Sequence, residues 1–386
     1  MVIVLLQNSK ENKRRVYLLT PVFREIANHP LVSIENKSKI LELWKFLNEN
    51  TILRISDKRF PTKEEIMNTI NEFKPNIIGC HLSHRISKDM LTDSNIFAVC
   101  TSTAGYNHID IIEDVLITHT PGVLHKTVAD FTIAIILANL RNLIKLHNFV
   151  WNEQWNEDQK WDLDQELNST IDSKILGIVG LGEIGREIVK KLAPWGIKIK
   201  YYDIIRQNDF ENKYNIEFIA TLEEIFESCD IISLHIPLIP KTHHLIGEEL
   251  LKKMKKGTLL VNTARGSIID FKALLKLLEN GEISINLAFD VYENEPILKE
   301  ELERFKKIQQ KFPELRFLFI PHNASADANT RAQMAIMILE DIINLAISKK
   351  PEDLKNIRLI PEQRHILKHE NFKELEKFRI SKFWIF

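Results

Sequence analysis

Apolar and polar positions alternate in short blocks along the first hundred residues. Val16–Thr20 is a brief apolar run stopped by Pro21. Ser38–Asn48 carries apolar residues at helical spacing, and Thr51–Ile55 reads as a strand. Thr62–Phe73 opens on Thr62 with Glu65 three residues later, a capping-box signature for a helix start. Asn76–Cys80 and Ile96–Thr101 are further strand-like runs. Met1–Leu6 is also apolar. No basic segment precedes it and no small-residue cleavage motif follows, so it reads as a first strand and not as a signal peptide. This rhythm predicts a parallel sheet with helices on its faces.

The rhythm breaks after residue 140. Val128–Leu140 is the most apolar helix-like stretch, but it falls short of the ~18–20 residues of a membrane span and contains Thr132 and Asn139, so a buried helix is expected. Trp151–Leu167 is acidic and holds three tryptophans, an excursion unlike any packed element of a sheet. A strand–helix pattern restarts at Lys174, with strands expected near 175–179, 197–202, 230–234, 258–262, 285–289 and 317–320. A helical pattern returns from Thr330. Beyond Lys350 the chain is polar, with Pro351 and Pro361, and it ends in the apolar cluster Phe383–Phe386. The expected fold class is α/β with two doubly wound parallel-sheet domains. The first is discontinuous, built from 1–119 and 323–386; the second spans 120–322.

Composition narrows the function. In 386 residues, 44% are hydrophobic and 27% charged, which excludes a disordered, collagen-like or coiled-coil chain. Lys+Arg 52 against Asp+Glu 53 leaves a net charge of −1, so no global positive field exists to hold nucleic acid or a membrane surface. The basic run Lys252–Lys256 reads as a solvated helix face with Glu248–Lys252 and Glu249–Lys253 pairs. Cys80, Cys100 and Cys229 are too scattered for a disulfide framework or a zinc site, and buried thiols are expected. No metal is expected, and the chain reads as a cytoplasmic protein.

The segment Lys174–Asp203 carries the sharpest motif. The apolar run Ile175–Val179 leads into Gly180-Leu181-Gly182-Glu183-Ile184-Gly185, a helix follows, and a second strand ends at Asp203. Gly180 permits a tight turn, Gly182 lets a pyrophosphate approach the backbone, and Gly185 allows close helix–strand packing. The helix start offers free N–H groups to phosphates. Asp203 sits where a carboxylate accepts both ribose hydroxyls of an adenosine, which favours NAD over its 2′-phosphorylated form. Three later strand ends are polar: LLVNTARGSIID, AFDVYENEP and FIPHNAS. Ligands of open α/β sheets bind outside such carboxyl ends. Arg265, Asp290, Glu295 and His322 all follow strands in this way.

With these segments, AGYNHID (104–110), TPGVLHKTVAD (120–130) and SLHIPLIPKTHHLI (233–246), the chain resembles the D-isomer-specific 2-hydroxyacid dehydrogenases over roughly residues 75–350. The resemblance implies two Rossmann-like domains, a substrate domain from the discontinuous part and an NAD-binding domain from 120–322. It implies that Arg265 binds a substrate carboxylate, which its planar, permanently charged fork suits. His322 would exchange the proton, and Glu295 would hydrogen-bond His322, fix its tautomer and favour its imidazolium. Asp290 would hold the nicotinamide carboxamide. Ile236, Pro237, Thr242, Thr263 and Ala264 would line the cofactor, and the backbone of Leu82, Ser83 and His84 would meet the substrate carboxylate. His81, His108, His119, His125, His235, His243 and His244 read as structural.

The implied activity is hydride transfer between NADH and a small 2-keto acid, most like the glyoxylate/hydroxypyruvate reductases. D-3-phosphoglycerate dehydrogenase and a non-catalytic NAD(H)-sensing corepressor-like protein are the alternatives. A homodimer is expected, with at least one of Trp151, Trp155 and Trp161 covered by the partner. Asn323 departs from the family pattern after the histidine, and the tail beyond about residue 362 exceeds the usual family end with no function to assign.

Overall fold

The computed structural model describes residues 13–158 and 160–384. The strand expected at Met1–Leu6 lies outside the described residues, as do Ile385 and Phe386 of the C-terminal cluster. The chain divides into two compact units. One runs to Leu124 and resumes at Ala326; the other is His125–Ser325.

The first unit holds β1 (Arg15–Leu18), β2 (Ile52–Ile55), β3 (Ile77–Cys80), β4 (Ala98–Thr101) and β5 (Leu116–Thr118). They form one parallel sheet in the order β2-β1-β3-β4-β5. Every residue of β3, β4 and β5 is buried. Strands covered on both faces read as continuous apolar runs, which is why the sequence pattern located β3 and β4, while the three-residue β5 was too short to stand out. The helix Lys63–Phe73 starts on the capping box of Thr62 and Glu65. The helix read at Ser38–Asn48 is longer: Ser33 accepts from the Asn36 amide and starts it at Ile34, and it runs to Asn50. A serine cap outweighs the polar first turn that hid this start from the periodicity. The helix Ala328–Ile347, capped by Asp327, lies against Ile34–Asn50 and completes this unit from the far end of the chain.

The C-terminal tail belongs to the same unit. Leu359 bridges Thr118 antiparallel, the Ile360 amide donates to Ile117 O (3.0 Å), and Gln363 bonds both Ile117 N and Val115 O (2.9 Å each). The tail thereby satisfies the open edge of β5, whose backbone groups would otherwise template aggregation. Arg379 donates to the carbonyls of Leu91 (2.7 Å), Ser94 (3.0 Å) and Thr92 (3.0 Å) and pairs with Asp114 (2.6 Å). Leu375, Phe378, Ile380 and Trp384 join the hydrophobic core.

The second unit holds β6 (Ile175–Val179), β7 (Lys198–Tyr202), β8 (Glu217–Phe218), β9 (Ile231–Leu234), β10 (Leu259–Asn262), β11 (Asn286–Phe289) and β12 (Phe317–Phe319). All are parallel, in the order β12-β11-β10-β9-β6-β7-β8. The two-residue β8 was too short to show a period. The helix His125–Leu140 is a core helix, with Val128, Ala129, Ile135 and Ile136 buried. No single helix among the described residues is long and apolar enough to cross a membrane. The following helix, Leu143–Trp151, turns away by 63° and buries none of its residues. In the excursion after it, Trp151, Trp155 and Trp161 stand 76%, 57% and 77% exposed. The three cysteines are free and buried. On the basic helix Glu248–Lys253, Lys252 bonds Glu248 (2.6 Å) as expected, but Lys253 turns to Glu227 (2.6 Å) and not to Glu249. A carboxylate from a neighbouring helix approaches closer than the one on its own turn.

Candidate active site

The carboxyl end of β6 opens into the glycine turn. Gly180 has φ +99°, and a Cβ there would meet His235 O at 2.8 Å and the Ile236 side chain at 2.9 Å. A Cβ on Gly185 would lie 2.3 Å from Gly180 O, so the helix Glu183–Leu192 presses onto the turn. Gly182 faces open space, with nothing within 4 Å of an added Cβ, and no side chain caps the helix that it starts. An open, uncapped helix start beside a Cβ-free backbone fits the pyrophosphate of a dinucleotide. The Glu183 and Ile184 amides belong to that first turn. Asp203, just past β7, accepts from Leu181 N (2.7 Å) and Ile205 N (3.1 Å), which fixes its carboxylate beside the turn. Arg206 is engaged elsewhere, on both oxygens of Glu211 (3.0 and 2.9 Å).

After β9, Ile236 lies over Gly180. Thr242 accepts from Ile239 N (2.8 Å) and donates to Pro237 O (2.6 Å), so its hydroxyl shapes this turn. Thr263 is buried on Thr132 (2.9 Å), and Ala264 N donates to Asn262 (3.0 Å).

The next three strand ends deliver the reactive set. Arg265 follows β10. The residue is half-buried, and its guanidinium donates to Ala264 O (2.6 Å). Burial lowers its pKa, while nearby Glu295 supports its charge, and arginine stays a cation throughout. A Cβ on Gly266 would fall 1.8 Å from the Tyr292 carbonyl carbon, so the arginine loop rests directly on the loop after β11. In that loop Glu295 accepts from Tyr292 N (3.1 Å) with one oxygen and from His322 Nδ1 (2.6 Å) with the other. Burial pushes the Glu295 carboxyl up, but the His322 bond and charge outweigh it and hold the pKa below the ordinary value. The sequence could not join these two residues, 27 apart.

Asp290 is buried and accepts from the amides of Asn323 (2.6 Å) and Ala324 (2.8 Å). Burial raises its pKa, and the two amides oppose the shift. Asn323, the departure after the histidine, thus contributes its backbone, a contact any residue but proline makes. His322 itself has φ +49°, held by bonds from its amide to Asp290 O (2.8 Å) and Ile320 O (3.1 Å).

In the first unit, the loop after β3 is largely self-satisfied. His84 N donates to His81 O (2.9 Å) and Ser83 N to the His81 ring (3.2 Å). The His84 ring is buried, accepts from His81 N (3.2 Å) and donates to Arg59 O (2.9 Å). Of the three amides read as carboxylate donors, only Leu82 N is without a partner among the described residues. Ring bonds from His108 to Thr101 (3.0 Å), His119 to Ala104 O (2.8 Å) and His235 to Ser233 (2.8 Å) accord with their structural reading.

Two residues escaped the sequence reading. Asn262, fully buried, bonds Arg265 O (2.9 Å) as well as Ala264 N, and so folds the arginine loop. Tyr292 donates to Ile320 O (3.0 Å) and ties the end of β12 to the Glu295 loop. Their signal was only a polar residue at a strand end.

Comparison with known proteins places this arrangement. A family model described as D-isomer specific 2-hydroxyacid dehydrogenase, NAD binding domain, matches residues 133–324. A glyoxylate reductase of Korarchaeum cryptofilum is 33% identical over 351 residues, covering 88% of this chain and 96% of the relative. Among solved structures, a D-lactate dehydrogenase of Aquifex aeolicus complexed with NAD and lactic acid superposes with TM-score 0.67 at 20% identity, covering 94% of this chain and 97% of that one. An NADPH-dependent glyoxylate/hydroxypyruvate reductase of Sinorhizobium meliloti gives TM-score 0.69 at 21% identity, over 91% and 97%.

Proposed function

The chain belongs to the D-isomer specific 2-hydroxyacid dehydrogenases, an NAD-binding oxidoreductase family acting on the CH–OH group, and on that footing we propose that it reduces a small 2-keto acid to the D-2-hydroxy acid with NADH, as a glyoxylate/hydroxypyruvate reductase. The observation that carries this reading is the His322–Glu295 bond of 2.6 Å beside a cationic Arg265 with no carboxylate in ion-pair range among the described residues. The glyoxylate reductase relatives favour the same substrate class.

Bound NADH supplies the hydride. The Glu183–Leu192 helix start receives the pyrophosphate, Asp203 the adenine ribose, and Asp290 the carboxamide through the lone pairs left over from its two amide bonds. Ile236, Pro237, Thr263 and Ala264 line the cofactor, and Thr242 shapes the wall they form. Arg265 binds the substrate carboxylate with its fork and draws charge toward the keto oxygen. In the first unit, the Leu82 amide is left over as a carboxylate donor. Glu295 holds the Nδ1–H of His322, so the proton given to the nascent alkoxide leaves from Nε2, and the neutral ring keeps its bond to Glu295. The discontinuous unit serves as the substrate domain.

The test is NADH oxidation with glyoxylate, hydroxypyruvate, pyruvate and 3-phosphohydroxypyruvate. Turnover fastest with the first two supports the assignment. Preference for the phosphorylated acid moves it to phosphoglycerate oxidation, and tight NADH binding with no turnover moves it to a sensor. Arg265→Lys keeps the charge but loses the bidentate fork. It is expected to lose most of its kcat/KM while NADH affinity holds, and equal activity would remove Arg265 from the site.

We further infer a homodimer. Leu143, Ile144 and Val150 are half or more exposed on the helix before the tryptophans, an apolar surface that a second copy would cover. A monomer by light scattering at micromolar concentration would refute this.

A further inference from the structure

We propose that His244 is a positioning residue for the reaction: its ring and its backbone together fix the loops that carry Arg265 and Glu295. The proposal rests on the roles given above to those two residues and adds a third partner that touches neither substrate nor cofactor.

His244 lies in the loop between β9 and the helix Glu248–Lys253. Its amide donates to Ser267 O (2.8 Å), two residues past Arg265. The same loop is laced onto the arginine segment further along, where Ile246 N bonds Ile268 O (3.0 Å) and Asp270 N bonds Ile246 O (3.1 Å). The His244 ring reaches the other way, its Nε2 bonding Glu293 Oε1 (2.7 Å), two residues before Glu295. Between these anchors lies Gly266, where an added Cβ would sit 2.4 Å from Glu293 N. One residue therefore clamps the arginine loop against the glutamate loop from two sides. Both members of the pair are largely covered, at 33% and 27% side-chain exposure, where a bond to a carboxylate is stronger than in open water. His243 stacks on the ring at 4.0 Å and limits its rotation.

The backbone shows that this placement is maintained against a preference. His244 has φ +53°, a left-handed conformation that non-glycine residues adopt at some cost and that asparagine tolerates best. A site chosen for its backbone alone would suit asparagine or glycine. Their side chains are too short to reach Glu293.

That contrast supplies the test. His244→Asn keeps the left-handed backbone and loses the bond. His244→Gln keeps an amide donor at about the reach of Nε2 and is less suited to the backbone. Because misplacement by about 1 Å can cost on the order of 100-fold in rate, we expect His244→Asn and His244→Ala to lose at least about tenfold in kcat with the keto acid. His244→Gln should stay within about threefold of wild type, and the NADH dissociation constant, read by fluorescence, should change less than kcat in all three. Glu293→Ala should match His244→Ala, and the double variant should be no worse than either single one. A kcat for His244→Asn at or above that of His244→Gln overturns the proposal in favour of the backbone alone. So do additive losses, or wild-type kcat with only a lowered melting temperature. If the His244 variants fail to fold, Glu293→Ala decides alone through its kcat. Arg265→Lys is measured in parallel. Full activity there overturns the parent assignment, whereas an inactive Arg265→Lys beside unaffected His244 and Glu293 variants overturns only the clamp.

Discussion

Cofactor choice turns on a single carboxylate. Both oxygens of Asp203 are pinned by backbone amides, Leu181 N at 2.7 Å and Ile205 N at 3.1 Å. A carboxylate has about four acceptor positions, so each oxygen keeps one for a ribose hydroxyl. A charge-assisted bond of this kind contributes about 1.5–3 kcal/mol, equivalent to a preference of roughly 10–150-fold. A 2′-phosphate loses that bond and meets a like charge that cannot swing away. Arg206 is the nearby cation that would offset this, but it is bidentate on Glu211, whose side chain is only 10% exposed and also accepts from Tyr201 at 2.6 Å. Releasing Arg206 would strip a covered carboxylate of its cation, a loss comparable to the gain. NADH should therefore be preferred by at least about tenfold in kcat/KM. Asp203→Ser should cut that ratio by about tenfold or more, and Arg206→Ala should leave it unchanged. Asp203→Asn is the milder variant, since its one oxygen keeps an acceptor for Leu181 N while the charge and the acceptor for Ile205 N are lost. The assay is steady-state oxidation of NADH and NADPH with one keto acid under identical conditions. Equal efficiency of the wild type with both would show that Asp203 does not meet the ribose. A collapse of NADPH use in Arg206→Ala would show that Arg206 leaves Glu211 when the phosphate arrives.

Two further outcomes concern the first unit. Asp341 is buried with one oxygen on Arg358 (2.9 Å), and burial pushes its pKa up to about 7 despite that arginine. A folded-state value above the unfolded ~3.9 means the native form binds the extra proton, so this contribution to stability is full below about pH 4 and is lost as pH rises toward 7, by at most on the order of 4 kcal/mol. Half-buried His81 and His235, both held at about 3 by loss of solvation, act in the opposite sense. The readout is therefore the melting temperature of Asp341→Asn relative to wild type, which should rise between pH 5 and pH 8; a constant difference refutes the argument. Arg379→Ala removes one guanidinium from four carbonyls and Asp114, and should cost about 3 kcal/mol in urea unfolding. An unchanged midpoint would show that Arg379 does not anchor the tail to the 91–96 turn.

Features set by neighbours along the chain were legible without the fold. The runs at Ile77–Cys80 and Ala98–Thr101 stand out because a parallel strand buried on both faces has no polar side to show. The capping box at Thr62 and the turn Gly180–Gly185 are likewise complete within a few residues. Their chemistry depends on backbone geometry that the residue types themselves impose.

What the tertiary structure decided is which strand ends meet. The order β10-β11-β12 sets the loops bearing Arg265, Glu295 and His322 side by side, and no local period encodes that order. The same holds for Asp290 on the amides of Asn323 and Ala324, for Arg206 turned to Glu211, and for His84 buried in its own loop. A titratable side chain in a sequence offers a donor or an acceptor; what it does depends on which partner, tens of residues away, reaches it first and excludes water from the pair. The tail is the plainest case. Its residues are polar and turn-rich in sequence, yet Gln363 answers the edge of β5 and Arg379 the carbonyls of the turn before β4, more than two hundred residues earlier, and those groups come within reach only once the unit has folded.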